Sequence, residues 1–188
     1  QIYDEHIFMF SVSSIKKIFD LFDFELIDVL PQVTHGGSMR YVIGRKNKHK
    51  KSDIISKFID DEQSKELDTI ESCLKFKKAC ELSKKMTIEK LNKFKENNKK
   101  ICGYAATAKS TTILNYCGLG NNIIDYICDS TKEKIGKFSP GKHIPIVSIN
   151  KFHEDVPNIA FLFAWNHKEE IFNKEKKFKE SGGVWFSH

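Results

Sequence analysis

Arginine is nearly missing from this chain. Arg40 and Arg45 are the two arginines among 31 basic residues. No basic stretch interleaves arginine with aromatic residues, so a nucleic-acid reader is not expected. Proline is rare, at four residues, and the stretch 52–100 holds neither proline nor glycine, which favours helices. No apolar run approaches the ~18 residues of a membrane-spanning helix, and no membrane partner is expected. The five cysteines form no CxxC pair. An odd count without such pairs argues against a disulfide framework and against a zinc site built from this chain alone. Cys73 and Cys80 share a helix face, and Cys102, Cys117 and Cys128 lie on apolar elements. These read as reduced core cysteines of a cytosolic protein. No signal-peptide pattern is visible. The first residue is Gln1, not Met, and the chain is expected to be a fragment of a longer polypeptide.

What is present suits a folded chain. Hydrophobic residues make up 40% of its 188 positions, and 15 of them are Phe, enough for a core. The net charge of +6 comes largely from lysine-rich stretches at 45–51, 75–100 and 174–177. These read as solvated faces.

Periodicity places the elements. Ser11 caps a helix running to Phe22, with Val12, Ile15, Ile18, Phe19 and Phe22 as its apolar stripe. A strand over 24–30 stops near Pro31. Gly36 and Gly37 mark a turn, and 38–44 returns as a second strand. After a charged linker at 45–51, a short helix precedes a long one from about Glu66 to Asn97. Strands are then expected at 100–104, 124–128, 144–148, 159–164 and 183–187. Helices are expected at 110–117, near 149–154, and at 166–180. Such alternation predicts an α/β, Rossmann-like parallel sheet, with ligands at the carboxyl ends of its strands.

The most informative segment is Gly103-Tyr-Ala-Ala-Thr-Ala-Lys-Ser-Thr-Thr-Ile-Leu-Asn-Tyr-Cys117. A strand, a loop of small residues and a helix start form the geometry that holds an anion. The P-loop pattern is nearly matched, but Ala108 stands where its second glycine belongs, so nucleotide hydrolysis is not expected. Lys109 reads either as a solvated residue at a helix start or as the partner of a phosphate.

Six blocks in order make the chain resemble sugar C-methyltransferases acting on nucleotide-linked 4-ketosugars, with that family's C-terminal domain. They are Tyr3-Asp-Glu-His6, His35-Gly-Gly-Ser38, the 103–117 segment, Pro140-Gly-Lys-His-Ile-Pro145, Ala164-Trp-Asn166 and Gly182-Gly183. The resemblance covers nearly the whole chain. It implies an upstream zinc-binding domain and a domain for S-adenosyl-L-methionine (SAM), both parts of the same polypeptide. Residues 1–46 then form the tail of the SAM-dependent, class I methyltransferase domain, with its terminal helix and antiparallel strand pair. Residues 47–99 form connecting helices, and 100–188 the Rossmann-like, nucleotide-sugar-binding domain. No GxGxxG loop is present, so the SAM site is expected upstream and the isolated fragment is expected to be inactive.

The resemblance also implies roles. His6 is the expected base, assisted by Tyr3 and Glu5. Methylating a carbon beside a ketone needs a base for its proton and a donor for the enolate oxygen. Gly103, Tyr104, Lys109, Ser110, Thr111 and Asn115 are expected to line the site of a nucleotide sugar, with dTDP as the nucleotide. His35 either faces the sugar or sits in a bulge. His143 is a ligand contact or a turn residue. Asn166 binds ligand or caps a helix. Trp165 stacks on a base or packs in the core. Arg40 pairs with an anion or sits on a sheet edge. The family's loop commonly opens Gly-Tyr-Gly, and here Ala105 holds the third place. Two other readings stay open: a non-catalytic module for a nucleotide sugar or another phosphorylated ligand, and an interaction domain docking a partner through its long basic helix.

Overall fold

A computed structural model describes residues 7–34 and 37–188. Tyr3, Glu5, His6 and His35 therefore lie outside the described residues. The fold is α/β, with a two-stranded antiparallel sheet and a five-stranded parallel sheet. The chain divides into two compact units, Ile7–Ala79 and Cys80–His188.

In the first unit, helix α1 (Val12–Asp20) starts at Ser11, whose hydroxyl accepts from the Ser14 N–H while the Ser14 hydroxyl accepts from the Ser11 N–H. Helix α2 (Ile54–Ser64) sends Glu62 to the same helix start. The carboxylate accepts from the Val12 and Ser13 N–H groups at 2.6 and 2.9 Å. An anion at a helix N-terminus meets unpaired donors and a favourable dipole. Burial works against this carboxyl, but the Ser13 and Val12 hydrogen bonds hold it below its usual range. Strands β1 (Phe24–Gln32) and β2 (Ser38–Arg45) pair antiparallel, with a bulge between Leu26 and Asp28. Pro31 stays in the ladder opposite Met39, in a two-stranded ribbon where a missing N–H can face outward. Val12, Ile15, Leu26, Val29 and Ile55 form the core of this unit.

Helix α3 (Ile70–Glu96) begins four residues later than the pattern suggests. Glu66 adopts a left-handed φ of 54°, and the Thr69 hydroxyl accepts from the Ser72 N–H at the new start. In the second unit the sheet runs β5 (Ile146–Ser148), β4 (Tyr126–Asp129), β3 (Ile101–Tyr104), β6 (Ile159–Leu162), β7 (Val184–Phe186). Alternate residues of each strand face opposite sides. Ile101, Ile127, Ile159 and Phe161 pack with Leu91 of α3 and with Leu114 and Cys117 of α4 (Ala108–Cys117). Cys102, Tyr104, Cys128 and Ala160 pack with Phe152 of α5 (Ile149–Asp155) and with Phe178. Both faces are covered, as an all-parallel sheet requires. Gly103 fits because it has no side chain: a Cβ there would lie 2.7 Å from Phe163 Cε2 and 2.9 Å from Ile127 Cγ1.

The helix expected over 166–180 is divided. A 3-10 turn (Trp165–His167) leads into α6 (Lys168–Lys174), and α7 (Lys176–Glu180) follows after Glu175. All five cysteines are free, with Cys102, Cys117 and Cys128 buried and Cys73 exposed. No helix among the described residues is long and apolar enough to cross a membrane.

Candidate functional site

The strand order puts a switch point beside β3. From β3 the chain moves to one side through β4 and β5, then crosses to β6 and β7 on the other. Ligands of open α/β sheets bind at the carboxyl ends of the strands at such a point. The segments found there are 105–107, which follows β3, and 163–167, which follows β6.

The first of these is a built loop. Ala105 has φ 73°, and its N–H donates to the Cys128 carbonyl at 2.9 Å. The Ala106 peptide is gripped at both ends. Its N–H donates to Asp129 Oδ2 at 2.7 Å, and its carbonyl accepts from Lys134 Nζ at 2.7 Å. Asp129 also accepts the Thr131 N–H at 2.7 Å through Oδ1, and Lys134 Nζ lies 3.4 Å from Oδ2. Burial alone would raise this carboxyl, yet the bonds from Thr131 and Ala106 and the charge of Lys134 keep it below the ordinary range. Thr107 then caps α4, accepting the Ser110 N–H at 3.1 Å.

Lys109 lies in the first turn of α4. Its ammonium is 5.5 Å from the centre of the Trp165 ring, within cation–π range. The Trp165 ring meets the His188 ring edge-on, with centroids 4.5 Å apart. Burial pushes the His188 imidazole below its usual value. The first N–H groups of a helix lack intrahelical acceptors. At the switch point the fold therefore joins a helix N-terminus, a lysine and an indole. Such a set can take an anion that carries a flat ring.

The other sequence-selected residues lie on β3, on α4, in the loop of His143, in the 3-10 turn and on β2. Gly103 and Tyr104 lie within β3, and the Tyr104 hydroxyl donates to Glu175 Oε1 at 2.8 Å inside the core. Ser110 is buried, and its hydroxyl donates to the Thr107 carbonyl at 2.6 Å, while the Thr111 N–H continues the helix to the same carbonyl. Asn115, one turn further on, donates to the Thr111 and Pro140 carbonyls at 2.8 and 3.0 Å. It thereby ties α4 to the loop that carries His143, an exposed residue with φ 52°. Asn166 is exposed in the 3-10 turn and does not cap α6, which starts after His167. Arg40 is exposed on β2, opposite Leu30.

Sequence reading missed Asp129, Lys134 and His188. The signal for Asp129 was there: an acid closing the apolar run Tyr126-Ile-Cys128 stands at a strand's carboxyl end. Lys134 and His188 carry no local pattern, since their partners are distant in sequence.

Comparison with known proteins identifies the family. A model of the C-methyltransferase C-terminal domain matches residues 33–188. The C-methyltransferase NovU of Streptomyces niveus is 30% identical over 183 residues, which cover 97% of this chain and 44% of that protein. The chain thus spans less than half the length of this curated relative. By the extent of the match, the chain belongs to the C-methyltransferase C-terminal domain family.

Proposed function

We propose that this chain is the nucleotide-sugar-binding part of a SAM-dependent C-methyltransferase that methylates a carbon next to the ketone of a dTDP-linked 4-ketosugar. The observation that carries the reading is the start of α4 at the switch point, with Lys109 beside Trp165. In this reading the diphosphate lies at the N-terminus of α4, where backbone donors and the Lys109 ammonium meet its charge. Trp165 offers a flat face to the base. Ser110 and Thr111 secure the cap, and Asn115 steadies the loop of His143. Gly103 and Tyr104 support the cradle from behind.

Family resemblance supplies the chemical groups. His6 takes the proton α to the ketone, and the electron pair left behind delocalises into an enolate. Tyr3 steadies the enolate oxygen, and Glu5 orients the base. His35 faces the sugar.

SAM supplies an electrophilic methyl group. The described residues do not fit it. An acid at the end of the second strand is where dinucleotide folds hold a ribose. Here that acid is Asp129, and both of its oxygens are engaged by Ala106, Thr131 and Lys134. We assign the SAM site, and any zinc, to upstream domains of the same polypeptide, in a cytoplasmic enzyme.

The test uses the full-length protein with dTDP-4-ketosugar in D2O. The α-proton is expected to exchange, and with SAM the product gains one methyl group. His6→Ala is expected to slow exchange by about 10²–10⁴-fold, the usual contribution of a positioned base. Methyl transfer that survives His6→Ala would refute the role of this base. Binding without exchange or methylation would favour the non-catalytic module.

A further inference from the structure

Glu175 stands where the last helical stretch breaks. It lies between α6 and α7 with φ −106°, and it is only 4% exposed. A carboxylate is rarely buried without partners. This one has two, both from other elements. Oε1 accepts from the hydroxyl of Tyr104, the last residue of β3, at 2.8 Å. Oε2 lies 2.7 Å from Nε2 of His153, on α5. Three elements on one sheet face thus meet at a single carboxylate.

The knot lies directly behind the loop. The Tyr104 ring is set edge-on against Phe152 and Trp185, each 5.2 Å away, and burial together with Glu175 raises its phenol far above the ordinary value. The Tyr104 carbonyl accepts from the Phe163 N–H at 3.0 Å, which connects it to the segment after β6. The next residue is Ala105, whose left-handed turn starts the 105–107 loop. The position of Tyr104 therefore fixes where the loop begins.

We propose that Glu175 and His153 are positioning residues, which hold Tyr104 so that the 105–107 loop and the start of α4 face the nucleotide. The proposal rests on the reading of the site given above. Neither residue touches the ligand, and both act through Tyr104.

The test titrates the chain with dTDP and follows amide hydrogen exchange at 105–107. Glu175→Ala and Tyr104→Phe are each expected to weaken dTDP about tenfold and to speed exchange at 105–107 about tenfold. The double variant is expected to be no worse than either single one, as for residues acting as one unit. Glu175→Gln, which keeps an acceptor for Tyr104, is expected to recover affinity to within about threefold, and His153→Ala to lose about threefold. Folded variants that bind as the parent does, or losses that add in the double variant, would overturn the proposal. If Glu175→Ala does not fold, His153→Ala and Glu175→Gln decide by the same two readouts. If the parent chain does not bind dTDP, the ligand assignment fails and exchange alone decides. Faster exchange confined to 105–107 then supports the positioning role, and uniform or unchanged exchange overturns it.

Discussion

At the residue scale, Ala105 and Gly103 show how backbone freedom is distributed. The near P-loop pattern draws attention to Ala108, yet Ala108 is helical and needs no glycine. Within this segment the residue with positive φ is Ala105, at 73°. A side chain in that conformation costs about 1–2 kcal/mol, offset in part by the entropy a glycine loses on folding. Ala105→Gly is therefore expected to raise stability by about 1 kcal/mol in chemical denaturation. Gly103→Ala is expected to do the reverse, at about 1–3 kcal/mol, because its Cβ would press on Phe163 and Ile127. Asp129 also acts at this scale. Its folded carboxyl is held below the ordinary value of about 3.9, so its contribution is complete above that value and is lost as pH falls through the folded one. Exchange protection of the Ala106 amide is expected to survive from pH 7 to 5 and to fail below about pH 4.

At the element scale, helices and strands were largely legible because periodicity reports burial. The strands expected at 100–104 and 183–187 form at Ile101–Tyr104 and Val184–Phe186, bounded by the turns that the sequence marks. The helix at 166–180 was legible only as a periodic stretch. Its break at Glu175 follows from a buried carboxylate whose partners, Tyr104 and His153, are 71 and 22 positions away. No local pattern carries that information. The clamp of Asp129 and Lys134 on Ala106 was hidden for the same reason. Lys109 and Trp165 were each visible in the sequence, but their approach depends on the neighbouring placement of β3 and β6. Helix α3 offers a test of packing. Leu91 is fully buried and Leu82 is 58% exposed on the same helix. Leu91→Ala is expected to cost about 2–5 kcal/mol and Leu82→Ala no more than about 0.5 kcal/mol, read from denaturation midpoints.

At the scale of the whole molecule, each compact unit carries carboxylates held below their usual range. In Ile7–Ala79 these are Glu25, bonded by Lys51, and Glu62, held by Ser13 and Val12 against the effect of burial. In Cys80–His188 they are Asp129 and also Asp155, bonded by Lys100 and Lys151. Lowered folded values mean that the stabilisation is present at neutral pH and is lost on acidification, so both units are expected to melt earlier below about pH 4. The net charge of +6 adds a long-range attraction for a diphosphate, which salt screens over about 10 Å at 0.1 M. In the proposed function, the start of α4 holds the diphosphate of a nucleotide sugar. The decisive measurement is calorimetric titration of the chain and of Lys109→Ala with dTDP and a dTDP-linked sugar. The parent chain is expected to bind both, and Lys109→Ala is expected to bind at least about tenfold more weakly, a loss of about 1.4 kcal/mol. Absence of binding to the parent chain, or equal binding by the variant, would contradict that reading.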